Sequence, residues 1–574
     1  MTLKSLLTIL ATVTTFGIQL YAQTNEIKKY PQGYFQSPLD IPFVLAGSFG
    51  ELRSGHFHSG IDIKTQGTVG KNVYAIADGY VSRIKVSPWG YGHALYITHP
   101  NGYTSVYAHL LDYNKQIDSL VKSTQYRKKS FAVEIFPKPN TIKVHKGQII
   151  AKSGNSGSSG GPHLHFEIRK TKTAEPINPL LFGYKIADHQ YPKISKLRIY
   201  SIDNNDNENW KEYTLVQSRG KVNLANPSTI IISGKSFYPA VESIDKWDAA
   251  NNKNGLYKLS YYFDNKLIFN FTADKIRFSE NRYINSYIDY AALKTSKKRF
   301  QRSKVEPNNR LSNIHNAVNH GIINLDDDSV HQLKVKAEDF EGQKSILIVN
   351  VKASKTNKKT KGKNGGIPFL WNEKNTYTAD GMSFTIPAKS LYSNQLFWVK
   401  TLDNKYSIYS KLYEIYDIKV PLHSYCQLKI RVDNLSQELK DKACIVSLDM
   451  NDKIIYEGGI MENNYINTKT RSFGKYYVTI DTIAPTIKPI NIYNNKNISN
   501  QSVISFTVKD NLSGISKYEA SIDNKWVLLE YDPKKNKLFY RIDNHFQKGK
   551  HSLRIKITDD RGNKNTKIYS LIRN

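Results

Sequence analysis

The stretch that most constrains this chain is residues 154–167, where a turn rich in Gly and Ser leads into the sequence His-Leu-His-Phe-Glu. After the turn the residues alternate as in a β-strand, with the Leu and Phe on one face and His163, His165 and Glu167 on the other. Residues i and i+2 of a strand lie about 7 Å apart on one face. Two imidazoles in this arrangement can converge on one centre, where one binds a metal ion and the other stands beside it. The apolar face meanwhile anchors the strand in a core.

A second candidate cluster lies earlier in the chain, where His58 and Asp62 are four residues apart. In an extended segment these two side chains share a face, and Gly60 between them leaves room for a metal ion or a close backbone approach. His56 has the same parity and is a rival ligand. Because His56 lies further along the chain from the Gly-x-Asp unit than His58 does, we expect it to line a groove or contact solvent instead.

The segment between the two clusters predicts short strands joined by tight turns, and the last of these strands ends in Tyr-Ala-His-Leu, which contains His109. Taken alone, His109 is better explained as a core or surface histidine, because two leucines follow it. Residues 111–130 predict a polar, basic helix that interrupts the strands. The predicted strands of this segment are Asn72–Ile76, Gly79–Val86, Ala94–His99 and Thr104–Ala108.

Residues 50–170 therefore bring several potential metal ligands into one β-rich frame. Three neutral nitrogen or oxygen ligands with an open fourth position have the composition of a catalytic zinc site. The segment contains no cysteine that could close the ligand shell, and no His-Glu-x-x-His helix of the common metalloproteases. The candidates are His58, Asp62, His109, His163 and His165.

The motifs His-x-Gly-x-Asp, Tyr-x-His-Leu and Gly-Pro-His-Leu-His-Phe-Glu, in this order, resemble those of the lysostaphin-type (LytM) zinc endopeptidases, which cut peptidoglycan cross-links. The resemblance covers roughly residues 45–180. It implies one zinc ion with His58, Asp62 and His165 as ligands, and His109 and His163 as catalytic residues beside it. The chain departs from the family in an insertion at about 111–140, which leaves the width and specificity of the groove open.

The chemistry expected of such a site assigns the proton transfers to histidines, because the motifs supply no Glu base. We predict that His109 and His163 share two tasks: taking a proton from the attacking water, and stabilising the oxyanion or protonating the leaving amine. The division of these tasks stays open at this point. One alternative function is a catalytically silent envelope protein that binds or activates another cell-wall hydrolase. A second alternative is an adhesin or scaffold.

The N-terminus predicts export. Lys4 precedes an uncharged, mostly apolar stretch, and Ala22 is a suitable residue before a cleavage site, so residues 1–22 predict a signal peptide. An uncleaved anchor helix is the alternative, although Thr, Gly and Gln interrupt the stretch. No later stretch is apolar for long enough to span a membrane. We therefore expect the periplasm, the cell envelope or the extracellular space as the location.

Length and composition predict three or four domains of mainly β structure in the 574 residues, of which 38 are Tyr. The formal net charge of +32 draws a protein to polyanions such as acidic cell-wall polymers. A compositional bias toward Lys that only solvates the surface explains the charge equally well. We find no strong nucleic-acid-binding module and expect no nucleic-acid partner.

An internal repeat organises the C-terminal two thirds of the chain. Residues 331–342 align with 551–562, since each segment alternates apolar residues and then forms an Asp-x-x-Gly turn. Residues 192–200 echo 485–493, and both begin with Pro. Two β-sandwiches that open and close alike explain this repeat.

The predicted fold class is therefore an N-terminal antiparallel β-sheet metallopeptidase domain followed by two or three β-sandwich, immunoglobulin-like modules. These modules serve either as spacers or as docking sites for the cell wall or an envelope partner protein. The predicted segments are a peptidase domain at 23–185, a β-sandwich at 190–354 with an insertion at 279–304, a basic linker at 355–366, a β domain at 367–482 and an immunoglobulin-like module at 484–574.

The two cysteines, Cys426 and Cys444, lie in the predicted 367–482 domain. In an oxidising compartment they can pair, and we slightly favour a disulfide. The alternative is two buried free thiols in strands.

Overall fold

The computed structural model describes residues 29–203, 207–234, 236–354, 365–379 and 381–574. The chain is mainly β, as the sequence predicts, and β-rich domains follow the N-terminal one. The predicted signal peptide lies outside the described residues, as does the predicted linker except for residues 365 and 366. Among the described residues, no helix combines the length and the apolar character needed to cross a bilayer.

The N-terminal domain, residues 29–187, is built on one eleven-stranded antiparallel sheet. Its elements are β1 (Leu45–Gly47), β2 (Leu52–Arg53), β3 (His56–Phe57), β4 (Ile61–Lys64), β5 (Asn72–Tyr74), β6 (Gly79–Val86), β7 (His93–Thr98), β8 (Tyr103–Tyr113), α1 (Lys115–Lys128), β9 (Val133–Ile135), β10 (Lys143–Val144), β11 (Ile149–Ser153), β12 (His163–Lys170) and β13 (Pro176–Ile177). The sheet order is β1-β4-β12-β8-β7-β6-β10, with β11 beside β8 and β5, β13 beside β12, and β9 beside β6. Strands β2 and β3 form a separate hairpin.

The alternation in β12 is confirmed, since Leu164, Phe166 and Ile168 are fully buried on the core side. Strand β8 continues past its predicted end and reaches Tyr113. The predicted helix is α1. It begins after Asn114, whose side chain accepts a hydrogen bond from the third residue of the helix, as expected for an N-cap.

The second domain, residues 188–354, has one twelve-stranded sheet. The elements are β14 (Lys193–Ile202), β15 (Glu208–Ser218), β16 (Lys221–Leu224), β17 (Ile230–Ile232), β18 (Ser236–Ile244), β19 (Lys258–Phe263), β20 (Lys266–Thr272), α2 (Ile284–Tyr287), α3 (Tyr290–Ser296), β21 (Phe300–Arg302), β22 (Ile314–Ala317), β23 (Ile323–Asn324), β24 (His331–Glu338) and β25 (Lys344–Ala353). Ten strands follow the order β21-β18-β14-β15-β16-β25-β24-β19-β20-β22, while β17 pairs with β25 and β23 with β18. Helices α2 and α3 lie between β20 and β21, within the predicted insertion.

The third domain, residues 365–480, contains two five-stranded sheets and one strand pair. Its strands are β26 (Ile367–Phe369), β27 (Asn375–Ala379), β28 (Met382–Ile386), β29 (Gln395–Phe397), β30 (Val399–Leu402), β31 (Leu412–Ile415), β32 (Cys426–Arg431), β33 (Ala443–Leu448), β34 (Ile454–Gly458), β35 (Ile460–Glu462), β36 (Tyr465–Thr470) and β37 (Gly474–Ile480).

The fourth domain, residues 481–574, has a four-stranded and a five-stranded sheet. Its strands are β38 (Thr486–Pro489), β39 (Lys496–Asn497), β40 (Val503–Lys509), β41 (Ile515–Ile522), β42 (Lys525–Val527), β43 (Leu529–Asp532), β44 (Lys537–Arg541), β45 (Gly549–Asp559) and β46 (Lys564–Arg573). The assignment of the second and fourth domains as immunoglobulin-like stays a prediction. Short 3₁₀ turns occur at Pro179–Phe182, Phe278–Tyr283, Val318–Gly321, Gln437–Lys442 and Pro533–Lys535.

The two cysteines are buried free thiols, so the expectation of a disulfide is wrong. Cys426 lies on β32 and Cys444 on β33, which belong to different sheets of the third domain. Burial raises the pKa of each thiol to about 12. Each cysteine therefore acts as a small apolar core residue.

The N-terminal domain contacts both the second and the fourth domain. One hydrophobic core runs through the N-terminal and second domains, with Phe57 stacked on Phe271. On another side, Tyr126 of α1 packs against Trp526 and stacks on His545 of the fourth domain. The predicted insertion therefore docks the fourth domain.

Candidate metal centre

The three predicted metal ligands meet at one point of the N-terminal sheet. Strands β4 and β12 are antiparallel neighbours, and their register places Asp62 directly opposite His165. His58 precedes β4 and folds back toward both. The atoms His58 Nε2, Asp62 Oδ1 and His165 Nδ1 lie 2.9–3.1 Å from one another. All three side chains are almost completely buried.

The hydrogen bonds of the two imidazoles fix which nitrogen faces the centre. His58 donates from Nδ1 to the Ser48 carbonyl at 2.7 Å, and His165 donates from Nε2 to Glu167 at 2.8 Å. The inward nitrogens are therefore lone-pair donors in the neutral tautomers, and they face each other and a carboxylate oxygen. Such a set repels itself unless a cation lies between the donors.

The donor set fits zinc. Two imidazole nitrogens and one carboxylate oxygen are ligands that Zn²⁺ takes at 2.0–2.2 Å, so tetrahedral ligand atoms lie about 3.3 Å apart. The observed separations near 3 Å need only small side-chain adjustments to reach this value. Three ligands also leave the fourth position open, which is typical of catalytic rather than structural zinc.

His109 lies beside the three predicted metal ligands, and an irregularity in β8 sets the direction of its side chain. The pairing of β7 with β8 shifts register at this point, and His109 has a left-handed φ of 58°. Such a β-bulge turns a side chain away from the face on which regular strand alternation would place it. His109 donates from Nδ1 to the Ser156 carbonyl at 2.8 Å, and its ring centre lies 5.8 Å from that of His165. Its Nε2 is therefore the nitrogen available to the site.

His163, at the start of β12, is the second histidine beside the three predicted metal ligands. Its Nδ1 donates to the Gly161 carbonyl at 2.8 Å, and its Nε2 lies 3.4 Å from Asp62 Oδ1. The rings of His163 and His109 are 4.8 Å apart between centres. The structure thus brings all five predicted site residues together, while His56 is exposed and bonds to the Ser54 carbonyl.

The pKa values of three histidines in the site differ widely. Burial lowers the pKa of His58 to about 4. Burial and the neighbouring histidines lower the pKa of His109 to about 3. Burial also lowers the pKa of His165, but hydrogen bonds to Asp62 and Glu167 outweigh it and raise the pKa to about 9. In the metal-free chain the proton on His165 therefore takes the place of the cation.

Glu167 is a site residue to which the sequence reasoning gave no role. It is fully buried, accepts hydrogen bonds from His165, Ser59 and Tyr91, and pairs with Arg169. A carboxylate behind a ligating histidine fixes its tautomer and orientation. The signal was available, because Glu167 shares the strand face of His163 and His165.

Arg53 and Ser48 are two further residues that the sequence reasoning missed. Arg53 donates to Asp62 Oδ2 at 2.6 Å, which orients this carboxylate so that Oδ1 faces the centre. Ser48 holds His58 through its carbonyl. No sequence pattern marks either residue, since both act across a fold that brings distant segments together.

The turn between β11 and β12 forms one rim of the site and carries the carbonyls that orient His109 and His163. Gly157 of this turn has a φ of 68°, and a side chain there would lie 2.3 Å from the backbone nitrogen of Gly92. The fourth domain reaches the same turn, because Lys534 donates to the carbonyls of Asn155 and Ser159.

The sequence matches two families. The profile of peptidase family M23 matches residues 56–126 and 138–179, which contain all five site residues. The profile of the Zu5-like domain matches residues 366–481, which cover the third domain from its second residue onward. The gap in the first match falls inside the insertion predicted at about 111–140.

Curated relatives are similar in the N-terminal domain. An uncharacterized metalloprotease of Haemophilus influenzae is 37% identical over 124 residues, 21% of this chain and 20% of the relative. The DD-carboxypeptidase/endopeptidase Mpg of Neisseria meningitidis is 32% identical over 130 residues, 22% of this chain and 23% of the relative. The peptidoglycan DD-endopeptidase ShyA of Vibrio cholerae is 33% identical over 123 residues, 21% of this chain and 22% of the relative. The chain thus spans about a fifth of the length of these relatives.

Solved structures also match. The catalytic domain of the prophage-encoded M23 protein EnpA from Enterococcus faecalis is 26% identical, over 27% of this chain and 98% of that one, with a TM-score of 0.19. The catalytic domain of lysostaphin from Staphylococcus simulans is 24% identical, over 24% and 91%, with a TM-score of 0.19. From the motifs, the site geometry and the family match together, this chain contains a domain of peptidase family M23, the LytM and lysostaphin family, at its N-terminal end.

Proposed function

We propose that the protein is a zinc metalloendopeptidase that hydrolyses peptide stems or cross-links of bacterial peptidoglycan during cell-wall remodelling. The observation that carries the proposal is the convergence of His58 Nε2, Asp62 Oδ1 and His165 Nδ1, with His109 and His163 beside them. The M23 match and the relatives named for carboxypeptidase and endopeptidase activity support it.

In the proposed mechanism His58, Asp62 and His165 hold one zinc ion. When bound, zinc polarises a carbonyl oxygen and makes a water molecule more acidic. The neighbouring side chains keep these ligands in place: Ser48 and Glu167 hold the two imidazoles, and Arg53 holds the carboxylate.

His109 and His163 carry the proton transfers of the proposed mechanism. Both use Nδ1 to donate to a backbone carbonyl, which leaves Nε2 of each ring on the side of the metal centre. The low pKa of His109 keeps this ring neutral near pH 7, so its Nε2 carries a free lone pair. The two rings are in edge-to-face contact, so both can act on one scissile peptide, one on the attacking water and one on the oxyanion or leaving amine.

A catalytically silent envelope protein is the alternative function. The intact pair His109 and His163 favours the enzyme, because a binding domain has no need of both. We further propose that the protein acts in the periplasm or outside the cell, as its N-terminal segment predicts. Peptidoglycan is the proposed substrate, and the C-terminal domains are proposed to dock the cell wall or an envelope partner.

The test is mass spectrometry of purified peptidoglycan treated with the zinc-loaded protein and with the His165→Ala variant. We expect the wild type to release peptide fragments whose masses identify one cleaved amide bond, and the variant to release none. Intact peptidoglycan after treatment with zinc-loaded wild type would exclude the proposed activity.

A further inference from the structure

A second cluster of potential metal ligands lies far along the chain from the zinc site, where the second domain begins. Asp188 belongs to the connection from the N-terminal domain, Asp245 directly follows β18, and Asp339 directly follows β24. One carboxylate oxygen of each lies within 4.8 Å of the other two. The three residues are only 8%, 1% and 1% exposed. Three acidic groups are thus packed together away from solvent.

One oxygen of each carboxylate in this cluster lacks a hydrogen-bond partner among the described residues. These oxygens are Asp188 Oδ2, Asp245 Oδ1 and Asp339 Oδ2. The opposite oxygens of Asp188 and Asp339 accept the backbone N–H groups of Gln190 and Gln343 and so fix both carboxylates in orientation. Burial, with repulsion from Asp339 and Asp188, raises the pKa of Asp245 well above its usual range. Buried, unpaired carboxylates are costly unless a cation compensates them.

Asn254 supplies a second and independent sign of a ligand. This residue is 2% exposed, and within the described ranges neither its Oδ1 nor its Nδ2 has a hydrogen-bond partner. Asn254 forms an antiparallel bridge with Asp245, with two backbone hydrogen bonds of 2.9 Å. Residues directly opposite in such a pair project their side chains to the same side. The Asn254 side chain therefore lies on the same side of this pair as the Asp245 carboxylate.

We propose that Asp188, Asp245, Asp339 and Asn254 form a calcium site that fastens the second domain to the connection from the N-terminal domain. The donors are all oxygens, which suits a hard cation rather than zinc. Calcium takes oxygen ligands at 2.3–2.6 Å, so two ligands of one ion lie at most about 5 Å apart, and the cluster meets this limit.

The fourth domain repeats the arrangement, with carboxylate oxygens of Asp481, Asp510 and Asp559 again within 4.8 Å of one another. Asp188 and Asp481 each stand four residues before the Pro that opens the repeat, and Asp339 and Asp559 each begin its Asp-x-x-Gly turn. Asp510 directly follows β40, as Asp245 follows β18. The internal repeat therefore carries the acidic cluster with it.

In the fourth domain, protein groups donate more hydrogen bonds to the acidic cluster. Asp510 Oδ1 and the 8% exposed Ser513 Oγ have no partner among the described residues. Asp481 Oδ2, however, accepts the Ser513 N–H, and Asp559 Oδ2 accepts the Asn563 amide. We therefore expect this second site to bind calcium more weakly.

The proposed site in the second domain lies close in structure to the zinc ligands. Gly255, the residue after Asn254, donates its N–H to Ser48 Oγ at 2.9 Å. The carbonyl of the same Ser48 accepts the hydrogen bond from His58 at 2.7 Å. A cation at Asn254 would thus order the segment that supports one zinc ligand.

The experiment is a titration of calcium chloride into the full chain, stripped of metal ions on a chelating resin and then reloaded with zinc. Binding is followed by calorimetry and by thermal unfolding. We expect calcium binding and a rise in Tm of about 5 °C or more at saturating calcium. Asp245→Asn should lose the tighter binding event. The matched variant Asp510→Asn, in the fourth domain, should retain it.

The substitution also has an effect without calcium. Because Asn is uncharged and almost equal to Asp in size, Asp245→Asn in calcium-free buffer should unfold at the same temperature as the wild type or higher. The variant should gain no stability from the tighter calcium-binding event. Asp339→Asn is a second variant with the same expected result. The proposal is overturned if calcium neither binds the wild type nor changes its Tm, or if Asp245→Asn binds calcium with the wild-type affinity and stoichiometry.

Discussion

His165 donates a hydrogen bond from Nε2 to the fully buried Oε1 of Glu167 at 2.8 Å, while its Nδ1 lies 2.9 Å from Asp62. The two residues are neighbours on the same face of β12. This bond turns the second ring nitrogen toward the metal centre. Glu167 in turn is held by Arg169. The position of one metal ligand thus depends on an ion pair behind it.

Replacement of Glu167 by Gln should weaken zinc binding by 10–100-fold, because the ring of His165 loses the charged acceptor that fixes its orientation. The variant should also unfold at a lower temperature, since Arg169 is left buried without its carboxylate. Zinc affinity is measured by competition with a chromophoric chelator. Glu134→Gln, which breaks only the partly exposed pair with Arg83, is the control. Wild-type zinc affinity in Glu167→Gln would contradict the assigned role.

Zinc binding should release a proton at mildly acidic pH. In the metal-free chain the pKa of His165 is about 9, so this ring is protonated at pH 6, and zinc must displace the proton from Nδ1. The pKa of His58 is about 4, so this ligand is already neutral. The apparent affinity should therefore fall about tenfold per unit as the pH decreases from 9 to 6. Calorimetry at pH 6 in two buffers of different ionisation enthalpy should give about one proton per zinc, and a value of zero would contradict the assignment.

Lys534→Ala should lower kcat several-fold without changing the zinc content. Lys534 binds the carbonyls of Asn155 and Ser159, in the turn that orients His109 and His163. Loss of these bonds loosens the turn but leaves the metal ligands in place. The exposed neighbour Lys535 provides the control substitution. Equal rates for Lys534→Ala, Lys535→Ala and wild type would show that the fourth domain does not support the site.

Gly157→Ala should lower activity much more than Gly160→Ala. An alanine at 157 would place its Cβ 2.3 Å from the Gly92 nitrogen and would have to adopt a φ of 68°. The left-handed conformation alone costs roughly 1–2 kcal/mol. At Gly160 a Cβ would have no heavy atom within 4 Å, so this variant tests the same turn without a clash. Steady-state rates and Tm should both show the difference, and equal losses in the two variants would contradict it.

The sequence predicts the parts of this fold that depend on local patterns. The alternation in β12, the strands β6 and β7 and the polar helix α1 follow from neighbouring residues. The fold class is confirmed, and the residues quoted for the family resemblance meet in one site. The choice of His58, Asp62 and His165 as ligands came from that resemblance, because the pairing of β4 with β12 joins segments about a hundred residues apart.

The missed features depend on tertiary structure. Nothing in the sequence around His109 marks a left-handed backbone, since most residues with this conformation are Gly or Asn. Arg53 reaches Asp62 only because the β2–β3 hairpin folds beside β4. The error at Cys426 and Cys444 has the same origin, because a spacing of eighteen residues does not reveal that they lie on different sheets.

The most direct test of the account is to measure zinc content and cleavage of a defined cross-linked muropeptide for the wild type and for His109→Ala, His163→Ala and His165→Ala. We expect His109→Ala and His163→Ala to keep one zinc ion per chain and to lose at least about 100-fold in kcat, because a proton-transfer group is missing. His165→Ala should lose both zinc and activity. A zinc-loaded His163→Ala that cleaves at the wild-type rate, or a metal-free His165→Ala that still cleaves, would contradict the account.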